Sequence, residues 1–360
     1  MPLTDIDGQR LGDSVADKLG NRNLIINGAM VHDQRNSGSS VTPTNAQYLV
    51  DRFKVGATQS SKFTAQQSTT APTGFKNSLL LTSSSAFSLG ASDEFEIIQF
   101  IEGNNVAHLG FGTSNAQTLT LSFYARSSLT GTFGGAIYNG AANRSYPFTY
   151  TISTADTFEL QTVTFAGDTS GTWATDNTAG INVLFSLGAG SSKLGTPGAW
   201  TGSFKPGATG QTNLVATNGA TLYLSGVQLE AGNTATPFEH RSFGDELRRC
   251  QRYYQIITDH TDGAYGINGG YTFDNGAKTA TGFNLGCPLR ASPTIEGATT
   301  GLGVRTQGAG DTVSAVNHTG WAANSVWLAV GVTHSDLGNN DHAATLVNVA
   351  GNSVALNSEL

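Results

Sequence analysis

The stretch TLTLSFYA (118–125) decides the fold class. Leu119, Leu121, Phe123 and Ala125 fall on one side of an extended chain, and Thr118, Thr120, Ser122 and Tyr124 on the other. That period of two marks a β-strand with one face in a core. The pattern returns in INVLFSL (181–187), where Ile181, Val183, Phe185 and Leu187 share a face, and in TLYLSGVQLE (221–230). Between such runs lie TGTFGGAIYNG (130–140) and LGAGSSKLGTPGAWTGS (187–203), whose glycines and asparagines supply the positive φ that tight turns need. Many short strands spaced by turns predict an all-β chain, a sandwich or jelly roll.

Composition bounds the rest. At 360 residues the chain has room for two or three domains with a real core. Charged residues are 12% of it, about half the ~25% usual in globular proteins, and 45 residues are glycine. The aromatics (18 Phe, 10 Tyr, 4 Trp) supply core material that a disordered chain lacks. No apolar run approaches the ~20 residues of a membrane-spanning helix, so no membrane insertion is expected. The opening MPLTDIDGQRLGD lacks a basic segment followed by an apolar one, so no secretory signal is expected. A net charge of −7 argues against nucleic acid as a partner, because a sequence-blind binder needs a basic face for phosphates. Two cysteines, Cys250 and Cys287, are too few for a disulfide framework and read as free, buried thiols in a protein made in a reducing compartment.

Two helices interrupt the strands. DSVADKLG (13–20) predicts a short N-terminal helix or anchor, with Asp13 as N-cap and Gly20 as stop. HRSFGDELRRCQRYYQ (240–255) carries an apolar stripe of Phe243, Leu247, Cys250 and Tyr254 at helical spacing. It also concentrates positive charge in Arg241, Arg248, Arg249 and Arg252. These arginines read either as a solvated or interdomain face or as partners for carboxylates of another subunit. Beyond the helix, residues 279–360 hold only Arg290 and Arg305 as basic residues. The expected division is an attachment segment over 1–22, a jelly-roll sandwich over 23–240, a linker helix over 241–257 and a smaller β domain over 258–360.

Catalytic signatures are missing. There is no Gly-x-Ser-x-Gly, no phosphate-binding glycine loop and no His-Glu-x-x-His. Asp93, Glu94 and Glu96 read as a solvated loop and strand start rather than a carboxylate pair. His334, Asp336, Asn339, Asn340, Asp341 and His342 could hold a metal, but meet no known spacing and read as an Asx-rich turn. No metal or cofactor is expected. Binding fits better, since aromatic faces pack on sugar C–H groups and hydroxyl and amide side chains match sugar hydroxyls. Trp200, Tyr265, Tyr271, His318 and Trp321 are the candidate glycan contacts, with core or interface packing as the competing reading of each.

Several segments together resemble a family of bacteriophage tail proteins. NRNLIINGAMVHDQR (21–35) resembles that family's opening strand, YLVDRFKV (48–55) its Asp-Arg-Phe turn, and LTLSFYAR (119–126) its central strand. The most specific match is LYLSGVQLEAGNTATPFEHRSFGDELRRCQRYYQ (222–255), which closes the jelly roll and ends in Cys-x-Arg-Tyr-Tyr. The resemblance implies a tail fibre, spike or receptor-binding protein with a carbohydrate-binding-like jelly roll. It implies a homotrimer whose N-terminal part joins other tail or baseplate proteins and whose C-terminal part contacts bacterial surface polysaccharide. Arg241, Arg248, Arg249, Arg252, Tyr253 and Tyr254 would then lie at subunit contacts. Such a protein is made in the host cytoplasm, resides in the virion and acts at the bacterial surface. The matching motifs are architectural and carry no catalytic residues. A tail adaptor touching only virion proteins is the alternative, and a polysaccharide depolymerase, without a β-helix repeat to support it, the third.

Overall fold

The computed structural model describes residues 21–258, 265–273, 278–297, 302–305, 310–321, 327–334, 343–348 and 354–360, with side chains described over 21–256, 285–296 and 355–360. The expected N-terminal helix at 13–20 lies outside the described residues. The chain divides into two compact units, Met1–Phe243 and Gly244–Leu360.

The first unit is a jelly-roll sandwich. Its front sheet has the order β1-β4-β9-β6-β7, formed by β1 (Phe53–Ala57), β4 (Glu94–Glu102), β9 (Ala179–Ala189), β6 (Gly131–Asn139) and β7 (Ser145–Ile152). Its back sheet has the order β2-β3-β12-β5-β8, formed by β2 (Phe63–Ser68), β3 (Ser78–Ser83), β12 (Thr221–Ala231), β5 (Leu119–Ser127) and β8 (Glu159–Phe165). Every pairing within these two sheets is antiparallel. A short parallel pair, β10 (Leu194–Gly195) and β11 (Gly207–Ala208), lies between β9 and β12 in sequence.

The period-two strands meet face to face. Leu119, Leu121, Phe123 and Ala125 of β5 are all fully buried in the core, as are Ile181, Val183, Phe185 and Leu187 of β9. Phe123 packs edge-on against Phe185 with ring centroids 4.9 Å apart and against Tyr150 at 5.0 Å. The outer side of β5 is also covered: Thr120 donates through Oγ1 to the Gly232 carbonyl at 2.9 Å, where the chain after β12 folds back across the back sheet.

The segments that resemble the tail-protein landmarks are built into this interior. Asn23 donates to the Val227 carbonyl and accepts the backbone N–H groups of Ile25 and Leu229, tying the entering chain to β12. A Cβ on Gly28 would meet the Val227 oxygen at 2.1 Å, so only glycine lets the two backbones approach this closely. Asp51, Arg52 and Phe53 are at most 1% exposed. Arg52 sits at φ 73° and donates through Nη2 to the Phe100 carbonyl at 2.7 Å, while Asp51 accepts the backbone and side-chain N–H groups of Gln34. These polar residues exchange water for fixed partners, which is what makes burial of polar groups tolerable.

The linker helix spans Phe243–Gln251, with Asp245 and Glu246 in its first turn and Arg248 and Arg249 in its last, the charge order that complements a helix dipole. Tyr254 does not continue the helical stripe but opens β13 (Tyr254–Thr258). Phe243 is 66% exposed rather than buried, its ring 4.4 Å from that of His32. Cys250 and Cys287 are buried thiols outside any disulfide, and burial raises the Cys287 thiol.

Beyond the helix, the described elements of the second unit are all strands. β13, β21 (Val354–Asn357) and β16 (Thr294–Gly297) form one sheet in that order. β14 (Tyr265–Phe273), β15 (Lys278–Asn284), β19 (Trp327–His334), β18 (Gly310–Trp321), β17 (Leu302–Arg305) and β20 (Ala343–Asn348) close into a six-stranded barrel, an arrangement that leaves no open sheet edge. Among the described residues no helix is long and apolar enough to cross a membrane.

Candidate ligand-binding cleft

At one end of the sandwich three connecting segments converge. The chain between β3 and β4 is pinned where the Phe87 N–H donates to the Val215 carbonyl at 2.9 Å. The chain leaving β9 is pinned by Gly190 N–H to the Asp93 carbonyl and by Ser192, whose N–H and Oγ both donate to the Ala91 carbonyl. The chain entering β12 is pinned by Asn213, whose Oδ1 accepts the Ala189 N–H at 3.1 Å. Between them is an open cleft of about 540 Å³. Phe87, Leu89 and Leu194 supply its apolar walls, and Ser88, Ser191 and Asn213 its polar groups; none of its lining residues is charged. Phe87 is held edge-on against Phe95, with Lys62 Nζ 4.5 Å from the ring centroid.

The cleft borders the outer face of the front sheet. Register places Glu96 opposite Ser186, Ile98 opposite Leu184 and Phe100 opposite Asn182 across β4 and β9, and Ala136 and Tyr138 of β6 opposite Leu184 and Asn182. Ile98, Leu184 and Tyr138 form a small second core there, closed by Phe204, whose ring lies 5.0 Å from that of Tyr138. Lys193, in the turn that leaves β9, pairs with Glu94 at 2.7 Å and lies 6.0 Å from the Phe204 ring.

Here the sequence reading is corrected. Asp93 is a loop residue, but Glu96 is 3% exposed, because its strand position points it into this covered face instead of into solvent. Among the described residues its Oε2 has no hydrogen-bond partner. Burial drives the Glu96 carboxyl well above the ordinary range, the nearby Glu94 carboxylate adds to this, and Lys193 offsets part of it. Burial, followed by the Glu96 and Glu94 carboxylates, likewise raises the Tyr138 phenol. Asn182, fully buried, has neither amide atom partnered.

None of the sequence-predicted glycan contacts is among the residues that line the cleft. Trp200 is half-buried in an aromatic cluster, its centroid 5.3 Å from Tyr146, 5.5 Å from Trp173 and 6.0 Å from Phe111, and its indole N–H donates to the Ala166 carbonyl at 2.8 Å. Tyr265 and Tyr271 lie on β14, and His318 and Trp321 on β18, strands that are not neighbours in the barrel; their side chains fall outside the described set. Of the acidic and histidine group at 334–342, His334 ends β19 and the rest lies outside the described residues. Among the described residues no group of three or more His, Cys, Asp or Glu could hold a metal.

Three of the residues expected at subunit contacts are buried or bonded within the chain. Tyr253 is fully buried and Tyr254 nearly so within the second unit. Arg241 is folded inward, donating to the carbonyls of Ile25 and Asn23 and pairing with Glu239 at 3.3 Å. Arg252 donates to the Pro288 carbonyl, Arg249 is half-buried, and Arg248 is exposed.

No protein-family model matches the chain, and no curated protein does. Among solved structures the chain is similar to the enzymatically active domain of tailspike protein 4 of bacteriophage CBA120, at 12% identity over 59% of this chain and a TM-score of 0.32. The match spans 22% of the length of that tailspike chain. It is also similar to TmCBM61 in complex with β-1,4-galactotriose, at 9% identity over 59% of this chain and 100% of that one, with a TM-score of 0.31. A third is the family 11 carbohydrate-binding module of Clostridium thermocellum in complex with a mixed-linked tetrasaccharide, at 9% identity over 55% of this chain and 98% of that one, with a TM-score of 0.28.

Proposed function

We propose that this chain is a non-enzymatic structural protein of a phage virion, a tail fibre or receptor-binding protein that attaches to bacterial surface polysaccharide and works as a homotrimer. The observation that carries the binding half is the uncharged cleft beside β9. Its volume of about 540 Å³ lies within the ~300–1,000 Å³ typical of small-ligand sites. An aromatic and aliphatic wall facing hydroxyl and amide groups is the chemistry that holds a neutral sugar, which offers C–H faces and hydroxyls but no charge to pair. The virion half is supported by the tail-protein motifs at 21–35, 48–55 and 222–255. Residues 1–22 would dock on other tail or baseplate proteins.

The test is an array of neutral and anionic bacterial polysaccharides, read together with light scattering of the full chain. Binding confined to neutral glycans by a particle of three chain masses is the expected result. Selective capture of anionic polymers would refute the cleft reading, and a single chain mass would refute the trimer.

A further inference from the structure

Glu96 has a chemical role that the cleft reading leaves unused. It lies two residues in from the start of β4, where Glu94 is opposite Ala189 and the chain beyond β9 turns back as the short 3₁₀ segment Ser191–Lys193. The groups facing it can be named element by element. Glu94 is on its own strand, Lys193 is in the turn, and Tyr138 is on β6 with Tyr48 close by. Ser186 is across β9, held by Gln211 Nε2 at 2.8 Å, and Gly56 is across β1, with Lys54 two residues further along. Gly56 is packed so closely that a Cβ there would come within 2.3 Å of Glu96 Oε1.

The charges in this enclosure balance in only one state. With Glu96 protonated, Glu94 and Lys193 form a neutral pair at 2.7 Å. With Glu96 ionised, a second carboxylate stands two residues along the same strand from the one that Lys193 already pairs, in a space where Glu96 Oε2 has no donor among the described residues. A buried unpaired charge must then be hydrated or re-protonated. β4 and β9 are interior strands of their sheet, and the edge strand β1 is packed onto Glu96 at Gly56, so the proposed way to bring water in is to lift the turn that carries Lys193. That turn is exposed at Ser191 and Ser192 and is tied down by side-chain and loop contacts: Gly190 N–H to the Asp93 carbonyl, Ser192 to the Ala91 carbonyl, Lys205 Nζ to the Ser192 carbonyl at 2.7 Å, and Lys193 to Glu94, before the chain joins the short ladder at Leu194. The same turn supplies Gly190, Ser191 and Leu194 to the wall of the cleft.

We propose that Glu96 is a proton-dependent latch: protonated, it lets the Lys193 turn close over the end of the front sheet and complete the cleft, and ionised, it releases that turn. The sign follows from linkage. Glu96 holds its proton more tightly closed than open, so each opening releases one proton. Above the ordinary carboxylate value of 4.5, and up to the value of the closed state, the opening constant should therefore rise about tenfold per pH unit. The effect on ligand affinity rests on the glycan reading of the cleft; the effect on the turn does not.

Amide hydrogen exchange of the full chain, corrected for the intrinsic pH dependence of exchange, tests the latch without any ligand. Protection of the Gly190, Ser192 and Lys193 amides should fall about tenfold per pH unit within that window in the wild type. It should be independent of pH in Glu96→Gln, where the side chain is neutral throughout. Flat protection in the wild type, or an unchanged slope in Glu96→Gln, would overturn the proposal. Should Glu96→Gln fail to fold, Lys193→Met serves as a second variant: it removes the cation and should weaken protection at every pH while keeping the slope, and a lost slope there would assign the proton to another group. A pH slope on the turn with no glycan bound at any pH leaves the latch standing and refutes only the function of the cleft.

Discussion

Both sheets of the sandwich are covered on their outer faces, the back sheet by residues 232–241 and the front sheet by the turns near 193 and 204, but the two covers treat buried polar groups differently. Under the back cover, Gln228 is fully buried, donates to Glu230 and accepts the Glu239 N–H at 2.8 Å. Glu230, also buried, accepts the Gln228 amide, the Thr236 N–H and the Thr236 hydroxyl, with Arg22 4.0 Å away. Under the front cover, Glu96 and Asn182 are as deeply buried and leave Oε2 and a whole amide without partners. The difference separates a seam built for stability from a surface that carries a cost, and such costs cluster where a structure moves or binds.

The largest expected effect is on the back cover. Glu230→Ala leaves Gln228 and Thr236 buried without their acceptor and should cost ~3–4 kcal/mol of unfolding free energy in a denaturant titration. A loss under ~1 kcal/mol would mean that water replaces the carboxylate and the seam is not sealed.

On the front cover the sign reverses. Glu96→Gln should raise stability at pH 8 by ~1–2 kcal/mol, because it removes the cost of holding a charge or proton out of place. The folded-state value of Glu96 lies above its unfolded one, so its penalty is absent below the ordinary carboxylate range and grows as pH rises toward the folded value. The gain in Glu96→Gln must therefore shrink on acidification toward pH ~4; a gain equal at both pH values would point to packing instead. Asn182→Leu should be stabilising by ~1 kcal/mol or neutral, since it replaces an unpartnered amide among Phe100, Leu184 and Tyr138 with an apolar group. A loss above ~2 kcal/mol would show that the amide has a partner in solution.

Glu239 gives the opposite pH limb. Burial alone would raise its carboxyl, but the Asn23 N–H, Arg241, the Asn21 N–H and Arg22 together hold it below the ordinary value. Its contribution is present above the unfolded carboxylate range and is lost as pH falls through the lower folded value. Glu239→Gln should thus flatten the acid limb of a stability–pH curve and leave the alkaline limb to Glu96. The smallest effect belongs to the exposed pair of Arg126 and Asp156 on the back sheet's flank, 3.2 Å apart with Asp156 mostly exposed. Asp156→Asn should change stability by less than ~0.5 kcal/mol.

The strands were readable in the sequence because the sandwich core is two-sided: β5 and β9 each present a continuous apolar row, and alternation reports it directly. The second cover over each sheet was not readable. Thr120, Ser122, Gln228, Glu230 and Glu96 are polar residues at alternate strand positions, the ordinary signature of a solvated face. They are buried by segments as distant in sequence as Gly232 from Thr120 and Arg22 from Glu230, and no local period records that. The cleft was hidden for the same reason. Phe87, Ser191 and Asn213 come from three separate connections, each of which reads alone as a glycine- and serine-rich turn. The inward turn of Arg241 and Tyr253–Tyr254 was hidden as well, because composition reports charge and aromaticity but not direction; both groups face carbonyls and core of their own chain.

The measurement closest to the centre is calorimetric titration of a neutral surface oligosaccharide into the full chain and into Ser88→Trp, at pH 6. Ser88 is an exposed residue of the cleft wall, so an indole there fills the site without disturbing a buried contact. The expected result is saturable binding by the wild type, at least tenfold weaker in Ser88→Trp with unchanged thermal stability. Equal affinity in both chains would contradict the assignment of the cleft as the glycan site.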